Sequence, residues 1–272
     1  AKLKDPGSTM SFEPLTEERI ETDSTYDAGT TTQLMWGARS DVGCVRPHNE
    51  DSYLVQSPLF CVCDGMGGHA AGEVASSIAV ETIAKTAPQS ADAARLAAAV
   101  EAANAAVIEA ALNGLGKPGM GCTATCAYIE NDTLAIAHVG DSRAYLLHEG
   151  TLIRVTRDHS YVEELVDAGE ITADEARVHP NRSVITRALG SDPAMYADHF
   201  TLHIEEGDRL ILCSDGLSSM IPDSDIENIA TQSSTAQICV DNLVDAALAA
   251  GGHDNVTVVV VDLVDDGVMR EA

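Results

Sequence analysis

The 272-residue chain has few basic residues: 16 Lys and Arg stand against 43 Asp and Glu, which gives a formal net charge of −27 at pH 7. So acidic a chain is repelled by nucleic-acid phosphates and by anionic membrane surfaces, which argues against both kinds of partner. It also has no apolar run of 18 residues and no basic segment followed by an apolar leader. We therefore expect a soluble, cytoplasmic protein that is not exported.

Cysteine motifs typical of zinc, redox and phosphatase sites are missing as well. The seven cysteines include no Cys-x-x-Cys pair, which argues against a zinc ribbon or a thioredoxin-type site. No cysteine is followed by arginine at the sixth position, so the loop of cysteine-nucleophile phosphatases is absent, as is a Walker A loop. Cys61 and Cys63 alternate along a predicted strand, and buried reduced thiols are the simplest interpretation.

The chain divides into one large folded region and two short ends. Residues 1–32 are polar and acidic without sustained periodicity, so we predict a flexible N-terminal arm, in which the residues before Met10 could be a cloning remnant. We expect the folded domain to cover 33–265, with 266–272 as a C-terminal tail. Within the domain, residues 157–193 have the character of an insertion, with short amphipathic helices and polar loops.

The order of predicted elements indicates an α+β fold. Helices are expected over about 70–87 and 91–112, and the second has an apolar stripe with spacings of four and three residues. A run of strands without intervening helices follows, which excludes a doubly wound parallel sheet. Two more helices precede Val256 to Val261, whose β-branched composition predicts a central buried strand. Two sheets, each covered outside by helices, would satisfy this order.

An acidic residue recurs beside glycine where an apolar strand ends. The cases are Asp64-Gly65, Gly140-Asp141, Asp215-Gly216 and Gly252-His253-Asp254, and Glu50-Asp51 lies just before a strand. A single such acid is usually a helix cap or a turn residue, and acids scattered around the rim are the alternative. Several carboxylates together, without a His or Cys cluster, favour hard cations such as Mg²⁺ or Mn²⁺. Without a cation, their repulsion would raise their pKa values and destabilise the fold.

Five motifs in a fixed order resemble those of a known family. They are Arg46-x-x-Asn49-Glu50-Asp51, Asp64-Gly65-Met66-Gly67-Gly68, Gly140-Asp141-Ser142-Arg143, Ser214-Asp215-Gly216-Leu217 and Asp254-Asn255-Val256-Thr257. Each motif alone is weak, but together they resemble the protein phosphatase 2C (PPM) family of metal-dependent Ser/Thr phosphatases in its bacterial form. The resemblance spans roughly residues 34–264. It implies a four-layer α-β-β-α sandwich of two mainly antiparallel sheets flanked by helices, with a flap insertion at 157–193.

The resemblance also implies a site for two Mn²⁺ or Mg²⁺ ions at one end of the sheets. Asp64 would bridge both ions, and the Gly65 carbonyl would bind the second. Asp215 and Asp254 would complete the first ion. The remaining implied ligands are Glu50 and Asp51, which would hold the second ion directly or through waters, and Asp141, which with Asp215 would carry a third, weaker ion.

The implied function is dephosphorylation of phosphoserine and phosphothreonine in proteins, opposing a Ser/Thr kinase. A hydroxide bridging two ions would attack phosphorus without a phosphoenzyme. Arg46 matches the family's phosphate-binding arginine, and its planar fork suits two phosphoryl oxygens. The alternative for Arg46 is a surface ion pair with a neighbouring acid.

One position departs from many eukaryotic relatives, which have histidine, their proposed general acid, where this chain has Met66. Methionine cannot donate a proton, so the leaving group would take one from a metal-bound water, from His48 or from His69. His69 is our candidate acid, and a structural role is the alternative for both histidines.

The expected partners are phosphoproteins and a cognate Ser/Thr kinase, and we expect a monomer. We also expect the flap to influence substrate choice, because loops beside a cleft commonly do so. Two other interpretations stay open at this point. One is a catalytically silent phosphoprotein-binding module on the same fold, and the other is a phosphatase for small or phosphotyrosine-bearing substrates.

Overall fold

The computed structural model describes residues 24–31, 33–68 and 71–264, and these ranges form twelve strands and seven helices. The strands are β1 (Ser24–Thr30), β2 (Leu34–Asp41), β3 (Asp51–Gln56), β4 (Leu59–Met66), β5 (Gly121–Cys122), β6 (Ala124–Glu130), β7 (Thr133–Val139), β8 (Arg143–His148), β9 (Thr151–Arg154), β10 (Asp198–His203), β11 (Arg209–Cys213) and β12 (Val256–Leu263). The helices are α1 (Ala71–Thr86), α2 (Ala93–Leu112), α3 (Tyr161–Asp167), α4 (Ala173–Val178), α5 (Asp215–Ser218), α6 (Asp223–Gln232) and α7 (Ala236–Ala249). None of these helices is long and apolar enough to cross a membrane.

The strands form two antiparallel sheets. The first has the order β1-β2-β12-β11-β8-β9, and the second has the order β10-β7-β6-β4-β3, with β5 paired to β4. β12 lies inside the first sheet, between β2 and β11, and its first six residues are all buried. The predicted central strand is therefore confirmed.

The two sheets pack face to face, and helices cover both outer faces. Along β12, Val258 and Val260 pack towards the helices of the first sheet, whereas Val259 and Val261 face the second sheet. This alternation arises because successive side chains of a strand point to opposite faces. Helices α1 and α2 cover the outer face of the second sheet. The predicted α-β-β-α sandwich is thus confirmed.

Helix α2 forms where the apolar stripe predicts it. Asp92 caps its first turn by accepting a hydrogen bond from the Arg95 amide at 3.1 Å. Leu96, Val100 and Val107 on one face are completely buried. The helix therefore attaches to the sheet through one continuous apolar face.

One strand differs from what the sequence predicts. The sequence predicts one strand over 122–130, but the structure divides it into β5 and β6 at Thr123. The Thr123 main-chain amide donates to the Asp64 carbonyl oxygen at 2.9 Å instead of continuing the ladder. This local departure from regular pairing brings the segment against the end of β4.

The predicted flexible arm is wrong for residues 24–30. They form β1, which pairs antiparallel with Met35 to Asp41 along its whole length. Most of its side chains are exposed, as expected of an edge strand, so it lacks the apolar alternation that identifies a half-buried strand. Residues 1–23 and the predicted tail at 266–272 lie outside the described residues.

The predicted flap, residues 157–193, contains α3 and α4 and contacts the rest of the fold at β5 and at the end of α5. Bridges Ser160↔Ile185 and Cys122↔Leu189 connect it within itself and to β5. The Arg177 guanidinium on α4 donates to the Ser218 carbonyl oxygen at 2.9 Å, at the end of α5.

Candidate metal centre

The centre is built around the paired ends of β3 and β4. The antiparallel register places Asp51 directly opposite Asp64, so both carboxylates begin on rigid backbone. The Asp64 amide donates to the Thr123 hydroxyl at 3.0 Å, and the Thr123 hydroxyl lies 2.6 Å from that of Ser142. Thr123 thus joins the Asp64 strand to the turn that carries Asp141.

Three acids distant in sequence converge here. Asp64 lies near the end of β4, Asp141 lies in the turn between β7 and β8, and Asp215 begins α5. One carboxylate oxygen from each lies within 4.8 Å of those of the other two. Three of the predicted strand-end acids therefore lie close together in the fold.

Burial and mutual repulsion disfavour negative charge at this cluster. Burial, opposed by the hydrogen bond from Thr257, raises the pKa of Asp51 to about 7. The pKa of Asp64 is raised well above its usual value by burial and then by Asp51 and Asp215. Burial, with repulsion from Asp215 and Asp158, does the same to the pKa of Asp141. These raised pKa values are the expected sign of acids that lack a counter-charge.

Orphaned oxygens show where that counter-charge fits. The Oδ1 atoms of Asp51, Asp141 and Asp215 are buried and have no hydrogen-bond partner among the described residues. A buried carboxylate oxygen without a partner is costly, and a divalent cation would satisfy several such oxygens at once. The donor set is all oxygen, which suits Mg²⁺ or Mn²⁺.

The first sheet also contributes to the centre, through β12. The Thr257 hydroxyl donates to Asp51 Oδ2 at 2.7 Å and lies 2.7 Å from the Ser40 hydroxyl of β2. All three residues are buried. One oxygen of Asp51 is thereby anchored to the opposite sheet, which leaves the other oriented away from this contact.

Gly65 lies where no side chain fits. A Cβ atom there would lie 2.0 Å from the Gly72 carbonyl oxygen and 2.5 Å from that of Glu50. The Gly65 amide donates to the same Glu50 carbonyl at 3.1 Å, and the Ser76 hydroxyl donates to it at 2.7 Å. The glycine thus allows α1, Glu50 and the end of β4 to approach closely.

Arg46 lies on the loop between β2 and β3, beside Asp254. Its Nε atom lies 3.4 Å from Asp254 Oδ1, and its side chain is 55% exposed. The pKa of Asp254 is raised to about 6, by burial and by Asp215, against the opposing effect of Arg46. The ion pair considered as an alternative for Arg46 is therefore present, and the exposed guanidinium is also accessible from solvent.

The two candidate proton donors differ in what the structure describes. His48 lies exposed on the same loop as Arg46, and its carbonyl oxygen accepts a hydrogen bond from Asn255. His69 lies outside the described residues, so its assignment stays a prediction. Met66 ends β4, next to Gly65.

Some residues of the centre are not recognisable as such in the sequence. Asn255 and Thr257 belong to a quoted motif, but only the fold shows that they orient Glu50 and Asp51. Thr123 lies in a plain strand-like segment and carries no signal, because its role depends on the close approach of β4. Pairing across strands, and not local pattern, determines such contacts.

Comparison with known proteins agrees with this architecture. The profile of the family described as protein phosphatase 2C matches residues 36–256. The chain is 43% identical over 244 residues to the serine/threonine protein phosphatase PstP of Mycobacterium tuberculosis. This chain belongs to the protein phosphatase 2C family. The resemblance given by the five motifs is thereby confirmed.

Similarity to other members of the protein phosphatase 2C family extends over most of the chain. The PstP alignment covers 88% of this chain and 46% of PstP, so the chain spans about half the length of that relative. The serine/threonine phosphatase stp of Listeria welshimeri is 37% identical over 236 residues, which are 82% of this chain and 94% of the relative. The structure of the PstP catalytic domain in complex with two manganese ions matches with a TM-score of 0.79 and 40% identity, covering 86% of this chain and 99% of that one.

Proposed function

We propose that this chain is a Mn²⁺- or Mg²⁺-dependent protein serine/threonine phosphatase. The observation that carries the proposal is the convergence of Asp64, Asp141 and Asp215, with buried oxygens that lack partners. Relatives that are named serine/threonine phosphatases align with nearly the whole described fold, which supports the same reaction.

The proposed ligand set follows from the family, and the close approach of Asp64, Asp141 and Asp215 supports it. Asp64 would be shared by two ions, with the Gly65 carbonyl on the second. Asp215 and Asp254 would hold the first ion, and Asp141 with Asp215 a third, weaker one. Glu50 and Asp51 would serve the second ion. Asp51 suits this role because Thr257 fixes one oxygen and leaves the other without a partner.

When bound, the ions would lower the pKa of water and offset negative charge on the phosphoryl group. The chain supplies position, because strand pairing holds the backbone of Asp51 and Asp64 with the two residues directly opposite each other. Arg46 would orient the phosphoryl oxygens through its planar fork. Its pairing with Asp254 keeps the guanidinium beside the cluster until substrate arrives.

The decisive experiment is turnover of a phosphoserine peptide with Mn²⁺ against EDTA. Asp64→Asn and Asp215→Asn should abolish hydrolysis while circular dichroism shows retained fold, whereas Glu109→Gln on the exposed face of α2 should keep the parental rate. Binding of the peptide without Mn²⁺-dependent release of phosphate would instead identify a silent binding module. Parental turnover by either Asp variant would contradict the proposed centre.

His69 is proposed as the proton donor to the leaving group. Its replacement by alanine should then reduce turnover of alkyl phosphates more than that of aryl phosphates, which have better leaving groups. Equal losses, or none, would remove His69 from this role.

The proposed substrates are phosphoproteins, and the proposed partner is a cognate Ser/Thr kinase that phosphorylates the same proteins. The enzyme is proposed to act as a monomer in the cytoplasm. The flap would contribute to substrate choice, since it packs against β5 and the end of α5. Exchange of residues 157–193 with those of a relative should change the preference among phosphopeptides and leave hydrolysis of a small aryl phosphate nearly unchanged. The reverse result would count against this role.

A further inference from the structure

The turn that presents Asp141 has an unusual backbone at Gly140. This glycine has φ +107°, and a Cβ there would lie 2.5 Å from the Thr123 side chain. A turn of this kind has few conformational restraints of its own, because glycine populates many backbone states. Contacts from elsewhere must therefore define the direction of the Asp141 side chain.

His159, at the entrance to the flap, supplies two such contacts. Its main-chain amide donates to the Gly140 carbonyl at 2.8 Å. The Gly140 amide in turn donates to Nδ1 of the His159 ring at 2.9 Å. Both polar groups of Gly140 are thus bonded to one residue, whose side chain is 4% exposed.

Asp198 determines the tautomer that makes this possible. Since Nδ1 accepts the Gly140 hydrogen bond, the ring proton lies on Nε2, which donates to Asp198 Oδ2 at 2.7 Å. Burial lowers the pKa of His159 against the opposing effect of Asp198. The ring of His138 lies beside it at a tilt, with the ring centroids 5.0 Å apart, and burial lowers the pKa of His138 to about 4.

We propose that His159 is a positioning residue for Asp141: its two hydrogen bonds to Gly140, with the tautomer fixed by Asp198, aim the Asp141 carboxylate at the acid cluster. The inference rests on the proposed function, in which Asp141 holds the third, weaker ion. The inference also gives the start of the flap a role in metal binding, because two flap residues contact this pair. The Thr186 amide donates to the His159 carbonyl oxygen at 2.9 Å, and Arg187 donates to Asp198 at 2.7 Å.

Two substitutions of His159 separate positioning from simple packing. Asparagine can present a side-chain oxygen near the place of Nδ1 and keep the Gly140 contact, whereas leucine fills the space without an acceptor. The matched control is His199→Leu, which removes an exposed histidine of β10. Asp141→Asn identifies which Mn²⁺ site belongs to Asp141.

Mn²⁺ binding to the full chain is measured by electron paramagnetic resonance titration. The amide ¹⁵N and ¹H chemical shifts of Gly140 are measured as a second readout. We expect His159→Leu to weaken the Asp141-dependent site about 10-fold, a usual effect of losing an outer-shell partner, and to leave the two tighter sites unchanged. His159→Asn should restore most of that affinity and the Gly140 amide shift, and His199→Leu should match the parent.

Three results would overturn the inference. They are parental affinity of the weak site in His159→Leu, equal weakening of all three sites, and failure of asparagine to improve on leucine. If His159→Leu prevents folding, His159→Asn still tests the inference. The inference then requires that His159→Asn bind Mn²⁺ at the weak site within threefold of the parent and leave the Gly140 amide shift unchanged. These measurements need no turnover, so a failure of the proposed phosphatase function would be seen separately in the phosphopeptide assay.

Discussion

The Glu50 main-chain amide donates a hydrogen bond to the Asn255 side-chain oxygen at 2.9 Å, which joins segments 205 residues apart. The amide nitrogen of the same side chain donates to the carbonyl oxygens of Val42 and His48, both at 2.9 Å. Asn255 is 4% exposed. One side chain therefore determines the path of the whole loop that carries Arg46.

Asn255→Ala should destabilise the fold and impair substrate binding together. It leaves three main-chain groups of the loop unpaired, and a buried polar group that loses its partner costs roughly 1–3 kcal/mol. We expect the free energy of unfolding in urea to fall by about 2 kcal/mol, and KM for an aryl phosphate to rise. Asn242→Ala, which removes one 3.3 Å bond to Ser233, is the matched control. Unchanged KM in Asn255→Ala would show that the loop keeps its shape without this residue.

The metal-free protein should become less stable as the pH rises towards neutrality. The pKa values of Asp51 (about 7) and Asp254 (about 6) exceed the usual 3.8, mainly through burial. The folded state therefore binds more protons than the unfolded chain between these limits. The resulting stabilisation is complete below about pH 4 and is lost as the pH rises through 6 to 7. Saturating Mn²⁺ should remove this loss by supplying the counter-charge.

Asp64→Asn separates the contribution of the acid cluster to the pH dependence of stability from that of His138. The lowered pKa of His138 destabilises the fold as the pH falls. In EDTA at pH 7.5, this variant should be more stable than the parent, because asparagine carries no charge and so avoids the burial cost and the repulsion by Asp51 and Asp215 that raise the pKa of Asp64. The difference should shrink at pH 5. Urea unfolding at both pH values measures it, with the exposed Glu109→Gln as control. A difference independent of pH would contradict the electrostatic origin.

Arg46→Ala should lower kcat/KM for an aryl phosphate about 100-fold, the usual scale for loss of one group that stabilises transition-state charge. Arg46→Lys should recover only part, because lysine keeps the charge and lacks the two-pronged geometry. The control is Arg95→Ala on α2, where the exposed arginine lies 3.5 Å from Asp92. Parental kcat/KM in Arg46→Ala would leave the Asp254 ion pair as the role of Arg46.

Only one of the seven thiols should react quickly with Ellman's reagent in the native protein. Cys44 is exposed, whereas the other six cysteines are completely buried. Burial also raises the pKa of Cys213 to about 12 and that of Cys239 to about 11, which suppresses the reactive thiolate. Seven thiols should react after denaturation. A second fast thiol in the native state would mean that the core opens readily.

Asp64, Asp141 and Asp215 could be found in the sequence because each lies beside glycine at or near the end of an apolar strand. That local pattern persists whatever the strands pair with, as Asp64 and Asp215 illustrate. The order of elements predicted two sheets, each covered outside by helices, and the resemblance of the five motifs implied the four-layer sandwich. The acids and the individual elements are recognisable because each depends on a pattern within a few residues.

The contributions of Thr123 and His159 could not be predicted in this way. Each acts through a contact with backbone that is remote in sequence, at Asp64 and Gly140 respectively. The β1 strand was missed for another reason: its partner β2 supplies the hydrogen bonds, and its own polar side chains face solvent. Such features become visible only when the pairing of strands is known.

The pairing of Asp51 with Asp64 across β3 and β4 means that β3 cannot tolerate an insertion or deletion without changing the centre. One extra codon within β3 would shift the register and turn the Asp51 carboxylate to the opposite face of the sheet. Insertions and deletions in related sequences should therefore accumulate between 157 and 193, where no ladder has to be preserved over a long stretch, and should be rare in the six residues after Glu50.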